Sequence, residues 1–321
     1  MIDKQFKNLE EQIEILKYKG LTITDEKYAK RILLRENYFF ISGYRYPLMK
    51  SQVDKRFIEG ATFEELYSLF LFDRQIRNAF FKYLLVIENN LKSIFSYQLS
   101  KKYGYKEKNY LKAKNFTSDK TKQKQVNDLI KKMKRQIRVN GSSHAATAHY
   151  MYNYGYIPLW ILVKVLSFGI VGELFSIMKY DDQIAICNIY QISLDDFTTY
   201  LPILSNYRNL CAHEDILYEN KTQKGIKGTI YHDLLGIKQD EYQNYTKGTN
   251  DLFALLIIMK RMLSYDEFRT LIYELDDKIK NLDYNLHTIK IDKILAKMGF
   301  PLNYVDLIDI ERTDENEERN N

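Results

Sequence analysis

Apolar residues recur through most of this chain at intervals of three and four, the spacing of one face of an α-helix. In residues 4–19, Phe6, Leu9, Ile13 and Leu16 form such a stripe, and Gly20 is placed to end it. Thr24 or Asp25 can cap a second helix reaching about residue 35. The pattern then breaks over an aromatic stretch, residues 38–47, which carries Gly43 and Pro47. Thr62 with Glu65 three residues on has the form of a capping box. From there a helical pattern runs to about residue 102, long enough to suggest a kink or break. Further helices are expected over about 121–139, from Pro158, from Ser193 through residues 208–213, and over about 250–263 and 266–281. Gly169 and Gly172 are expected to interrupt or restart the pattern. The Gly-containing stretch 221–249 leaves room for a hairpin such as 227–232. No internal repeat and no run of alternating strands is visible, so the pattern alone gives a mainly α fold.

Composition agrees with this. Four Pro and thirteen Gly in 321 residues leave little to break helices. Two cysteines, Cys187 and Cys211, are too few for a disulfide framework or a zinc knuckle, and read as reduced thiols in a cytosolic protein. The first residues have the mixed polarity of a helix and not of a signal peptide. The most apolar stretches, 69–72 and 80–87, are broken by Asp73, Arg74, Arg77 and Lys82, so no membrane partner is expected. Charge changes the picture more. Residues 101–140 hold fourteen Lys or Arg against Glu107, Asp119 and Asp128, a local +11 that leaves the remainder at −5. Such a block, with Lys122, Lys124, Lys131, Lys132, Lys134, Arg135 and Arg138 at its centre, is an electrostatic footprint for a polyanion such as RNA. The alternative is a solvated, lysine-rich helix and loop. Residues 309–321 form an acidic, polar tail.

The candidate chemistry lies in Tyr207-Arg208-Asn209-Leu210-Cys211-Ala212-His213-Glu214. RNA carries its own nucleophile, the 2′-hydroxyl. Histidine can take its proton near neutral pH, arginine can hold phosphate oxygens with a charged fork, and asparagine can orient the ring or donate to phosphate. Arg208, Asn209 and His213 therefore contain the parts of a metal-independent transesterification. Asn209 and His213, four apart, share a helix face, whereas Arg208 and His213 stand about 140° apart around an ideal helix. The competing reading pairs Arg208 with Asp195, Asp196 or another carboxylate and makes His213 a satisfied core histidine.

Two segments resemble the Abi family of abortive-infection proteins, of the Abi-D and Abi-F type. One is Lys19-Gly20-Leu21-Thr22-Ile23-Thr24-Asp25 followed by Asn37-Tyr38-Phe39-Phe40-Ile41-Ser42-Gly43-Tyr44-Arg45-Tyr46-Pro47. It is similar to the family's amino-terminal helix start and aromatic turn, with Phe39-Phe40-Ile41 where the family often has Tyr, Arg and Leu. That departure makes a direct catalytic role for the turn less attractive. The other is Arg208-Asn209-Leu210-Cys211-Ala212-His213, which resembles the HEPN form of an R-x4-H motif. Residues 72–77, 87–91 and 158–160 resemble family landmarks in the expected order, so the likeness spans roughly 5–265. It implies a HEPN-like helical bundle: an N-terminal helical region over 1–60, a core over 61–265 carrying the motif, and C-terminal helices and tail over 266–321. It also implies a homodimeric endoribonuclease in phage defence, with two Arg208/His213 sets facing a shared cleft. Before infection a bound RNA or a protein antitoxin would restrain it.

Other residues have two readings each. Glu88, on a mostly apolar helix, can pair with Arg208 or orient His213, or form a structural ion pair. Asp73, Arg74 and Arg77 either line the same cleft or form helix-surface pairs. Cys211, followed by Ala212, reads as small-residue packing and not as a nucleophile. Tyr150, Tyr152, Tyr154 and Tyr156 can stack on bases or form an interface strip. His144 and His149 have the wrong spacing for a helical zinc pair, and no phosphate-binding glycine loop or nucleophile elbow is present, so neither metal nor cofactor is expected. Two rival functions remain, a non-catalytic RNA-binding module and a purely structural interaction protein.

Overall fold

The computed structural model describes residues 5–51 and 53–311. Helix makes up 67%, and among the described residues β pairing is limited to isolated bridges. The fold is mainly α, as the periodicity predicts.

The first helix is shorter than its stripe suggested. Asn8 caps α1 (Leu9–Tyr18) in a capping box with Glu11, so Phe6 precedes the helix and stands 88% exposed. Lys4, where the stripe was expected to begin, lies outside the described residues. Asp25 caps α2 (Glu26–Glu36), which packs on α1. The aromatic stretch forms a short helix, α3 (Tyr38–Gly43), then a 3-10 turn with Pro47 near its start. Asn37 opens α3 at φ 67°, its side chain accepting from the Phe39 N–H.

Helix α4 (Phe63–Tyr103) organises the molecule. The Thr62–Glu65 capping box starts it and Gly104, at φ 88°, follows its end. The expected break is absent: the helix is continuous, and no Gly or Pro falls within its 41 residues. It is about 60 Å long at 1.5 Å per residue. Beyond it come α5 (Glu107–Tyr110), the lysine-rich α6 (Gln123–Asn140) and α7 (Ala145–Tyr154). The helix expected at Pro158 is only α8 (Leu159–Leu162), running on into a 3-10 turn.

Two expectations are modified here by tertiary contacts. The pattern does restart beside Gly169, with Ser167 capping α9 (Phe168–Ile177), but both Gly169 and Gly172 then lie inside that helix without interrupting it. Burial of Phe168, Val171, Leu174 and Phe175 offsets the helix penalty of each glycine, about 1 kcal/mol. After α10 (Tyr180–Tyr190) and α11 (Leu194–Ala212, capped by Ser193), the stretch read as a hairpin at 227–232 instead enters α12 (Ile230–Leu234). The fully buried His232 imposes that turn. Its Nδ1 accepts the Thr229 N–H at 3.1 Å and its Nε2 meets the Gly248 carbonyl at 2.9 Å.

The chain closes with α13 (Leu252–Met262), α14 (Tyr265–Asn285) and α15 (Ile291–Met298). Helix α14 runs beside α4 in the most extensive pairing of the fold, and α11 crosses α4 as well. Glu65 is fully buried and accepts the His287 and Thr288 N–H groups, both at 2.7 Å, which ties the α14–α15 connection to the start of α4. One apolar cluster runs from Ile13 to Ile308. Residues 312–321, most of the acidic tail, lie outside the described part. Among the described residues no helix is long and apolar enough to cross a membrane.

Candidate functional site

His213 forms the C-terminal cap of α11. Its N–H donates to the Asn209 carbonyl at 3.0 Å, and its side chain is exposed. Glu214 then leaves the helix at φ 59°, a left-handed setting that a non-glycine residue holds only when its surroundings enforce it.

Asp73 enforces it. This carboxylate on α4 is fully buried and accepts from the N–H groups of Leu217 (3.1 Å) and Tyr218 (2.7 Å), the Tyr44 hydroxyl (2.7 Å) and Arg77 (2.9 Å). The same Arg77 nitrogen donates to the Asp215 carbonyl at 2.8 Å. Burial pushes the Asp73 carboxyl up, while these donors pull it the other way. The Asp73–Arg77 pair is therefore not a helix-surface pair. It is a buried clamp that fixes the aromatic turn and the segment after His213 to one point of α4.

The clamp underlies a groove of about 1050 Å³. Asn37, Tyr38, Arg45 and Tyr46 line one side, Ala212 to Ile216 with His213 the other, and Phe70, Arg74 and Arg77 contribute from α4. The two segments that carried the family likeness thus face each other across one cavity. Lys19, Arg35, Arg45, Arg74 and Arg77 line it together with Glu36, Glu214 and Asp215, so cations outnumber acids five to three. Lys19 lies on its edge, where burial and the charges of Arg45 and Lys55 push the ammonium pKa down. Arg74 is neutralised by Glu36 at 2.5 Å. Arg45 donates to the Ser42 carbonyl and lies 4.6 Å over the Tyr46 ring. Sequence reasoning set this turn aside from chemistry because of Phe39 and Phe40. The usable signal was the neighbouring Tyr44-Arg45.

Arg208 and Asn209 are not among the residues lining that groove. Asn209 is exposed beside a separate hollow of about 480 Å³ that also involves Gly169, Gly172 and Pro202. Arg208 lies against α4, its side chain 29% exposed. Its Nε donates to Glu88 at 2.9 Å and its guanidinium sits 5.8 Å from the Phe81 ring centre. Glu88 is buried, and its other oxygen accepts from Lys92 at 2.7 Å. Of the expected partners, Asp195 instead pairs with Lys227 and Asp196 with Arg261. Among the described residues, neither terminal nitrogen of Arg208 has a hydrogen-bond acceptor. Within one chain, then, the motif occupies successive faces of one helix end, with the imidazole in the groove and the guanidinium outside it.

Cys211 is buried and its thiol is pushed up to about 12 by that burial, so it packs and does not attack. Among the described residues no group of three or more His, Cys, Asp or Glu could hold a metal ion. The basic block divides into paired and open cations. Lys122 is half-buried and donates to the Ser176 carbonyl, Lys132 pairs with Glu173 at 2.7 Å, and Lys131 stands 3.8 Å from Asp128. Lys124, Lys134, Arg135 and Arg138 are exposed on α6.

No curated protein and no solved structure matches this chain. A family model described as Abi-like protein matches residues 31–219. That span begins in α2, takes in the aromatic turn, all of α4 and the Arg208–His213 helix, and ends one residue past the last backbone group that Asp73 holds. The match covers more than half of the chain, which therefore belongs to the Abi-like family, and membership implies a part in abortive-infection defence against phage.

Proposed function

We infer that the protein is the effector of such a defence, a metal-independent endoribonuclease of the HEPN type. The observation that carries this reading is an exposed imidazole in a groove where cations outnumber acids, on the same helix end as a guanidinium that, among the described residues, is held by only one of its nitrogens. His213 takes the proton of a ribose 2′-hydroxyl, whose oxygen attacks the adjacent phosphorus. The 5′-oxygen leaves with a proton from water, and the His213 imidazolium returns the proton it took to solvent. Products are a 2′,3′-cyclic phosphate and a 5′-hydroxyl. Arg208 supplies the charge that the phosphorane needs, with its two terminal nitrogens turned to non-bridging oxygens. Glu88, held in turn by Lys92, fixes the plane of that guanidinium. Asn209 orients the ring or donates to phosphate.

Because one chain places Arg208 outside the His213 groove, the complete centre is a homodimer with two motifs around a shared cleft, related by two-fold symmetry. An RNA or protein antitoxin restrains it before infection. The test is incubation of the purified protein with RNA, with and without chelator, beside His213→Ala. Cleavage that survives chelation, leaves cyclic phosphate ends and falls by about a hundredfold or more in the variant is the expected result. Cleavage that needs a divalent ion, or stays within about tenfold of wild type without His213, overturns it.

The separation of Arg208 from the groove also favours a second reading, a module that grips RNA phosphates without cutting. Tight binding by the wild type with no new ends under any condition selects that reading.

A further inference from the structure

Away from the His213 groove, a second cavity of about 790 Å³ lies where α5, α6 and the end of α7 meet, past the C-terminal end of α4. Five cations line it: Lys108, Lys112, Lys131, Lys134 and Arg138, all exposed. Among the described residues its one lining carboxylate, Glu107, is occupied by the Ile157 N–H. The floor is fixed, because the buried Tyr110 hydroxyl donates to the Ile157 carbonyl at 2.8 Å and Leu111 and Ile137 fill in beneath. Lys108 and Lys112 come from a different element than the α6 stripe, so the groove is a concave site and not one charged helix face.

An aromatic shelf continues from it. Gly155, in the groove wall, ends α7 at φ 72° and separates Tyr154 from Tyr156. Their rings are 6.3 Å apart, Tyr156 is 5.7 Å from Tyr105, and Tyr105 is 5.8 Å from Trp160. Tyr154, Tyr105 and Trp160 remain 56%, 43% and 43% exposed. Lys106, two residues before Lys108, holds its ammonium 4.7 Å from the Tyr156 ring centre. Large exposed rings in file beside a cationic furrow are the arrangement that grips an unpaired strand. Phosphates follow the cations and splayed bases stack on the rings. A duplex keeps its bases stacked inward and has no use for the rings.

We propose that this groove and shelf form a docking site for single-stranded RNA, separate from the His213 groove. The choice of RNA over DNA rests on the proposed function, whereas the single-stranded form rests on the site itself. Arg77, beneath the His213 groove, and Tyr103, at the end of α4, are 26 residues apart on that continuous helix, about 40 Å along it. The site therefore acts on affinity and target choice and not on the bond-breaking step.

The test is fluorescence anisotropy with the full-length protein and a labelled 20-nucleotide RNA strand whose 2′-oxygens are methylated, so that it cannot be cut by the proposed chemistry. A duplex of the same length and a DNA strand are the comparison arms. Two exposed-residue variants are used, Lys108→Glu with Arg138→Glu, and Tyr154→Ala with Trp160→Ala, each checked for an unchanged Tm. The single RNA strand is expected to bind tightest. The aromatic variant should lose about tenfold or more for single strands and little for duplex. The charge variant should flatten the salt dependence by about 0.7 in log–log slope for each cation removed. Equal losses for strand and duplex, tighter binding of DNA, or wild-type affinity in both variants overturns the proposal. Because the probe cannot be cleaved, binding that follows these expectations in a protein that never cuts RNA keeps this site and removes only the nuclease reading.

Discussion

The two grooves place their charges in opposite ways. Around His213 two acids of α4 are buried and bonded: Asp73 by Arg77, and Glu88 by Lys92 and by one nitrogen of the partly exposed Arg208. At the far end of α4 the cations of the second groove stand in solvent, with a single acid that a backbone N–H has taken. Buried, fully bonded charge costs desolvation and returns fixed geometry, whereas exposed charge costs little and returns attraction at a distance. One end of the molecule is therefore built to hold atoms still, and the other to gather a polyanion.

Substitutions that break this contrast should do so by different amounts and through different observables. The largest effect expected is on chemistry. His213→Ala should lower RNA cleavage by about 10²–10⁴-fold, the usual worth of a general acid–base group. Because the side chain is exposed, denaturant midpoints should stay within about 0.5 kcal/mol of wild type. Asp73→Ala comes next and should act first on the fold, by about 3–5 kcal/mol in urea unfolding, since it leaves Arg77 buried without its counter-charge and two backbone donors without their acceptor. A milder loss than 1 kcal/mol would show that the turn after His213 is held by something else. Arg208→Ala should cost about 10²–10³ in rate, the worth of a positioned charge donor. Glu88→Gln should cost less, because it loosens the guanidinium without removing it.

The smallest effect sharpens the comparison from a third place. His232 is buried with Nδ1 accepting a backbone N–H, and burial lowers its pKa below the ordinary 6.5. The unfolded chain takes up a proton at a pH where the folded chain does not. Stability should therefore be complete above 6.5 and decline as the pH falls below it, by at most about 1.4 kcal/mol per pH unit. Urea titrations at pH 7.5 and 5.5 with wild type and His232→Asn read this directly, and the variant should lose the slope.

What the sequence reveals follows the range of the interaction. The Thr62–Glu65 box, the Asp25 cap and the Ser193 cap are local and were legible. The restart beside Gly169 was legible, but the continuity of α9 through Gly172 and the 227–232 turn were not, because contacts far along the chain decide them. His232 meets Gly248 sixteen residues on, and α9 packs on α11. The Glu88–Arg208 pair could be named as an option, since both residues were already under suspicion. The reach of Asp73 across 144 residues to Leu217 could not, because nothing local at either place asks for it. In the basic block the count of charges was plain, but which cations were spent, such as Lys132 on Glu173, and which were joined by Lys108 and Lys112, depended on how helices meet.

Helix α4, continuous from Phe63 to Tyr103, fixes the phase of everything mounted on it. Adding or removing one residue between Arg77 and Glu88 would rotate all later side chains by about 100° relative to earlier ones. Asp73 and Glu88 could then no longer both meet the segment that carries residues 208–218. Whole turns do not rescue such a change: seven residues restore the phase but add about 10 Å between Asp73 and Glu88, so the helix is both a register mark and a ruler between two otherwise separate surfaces.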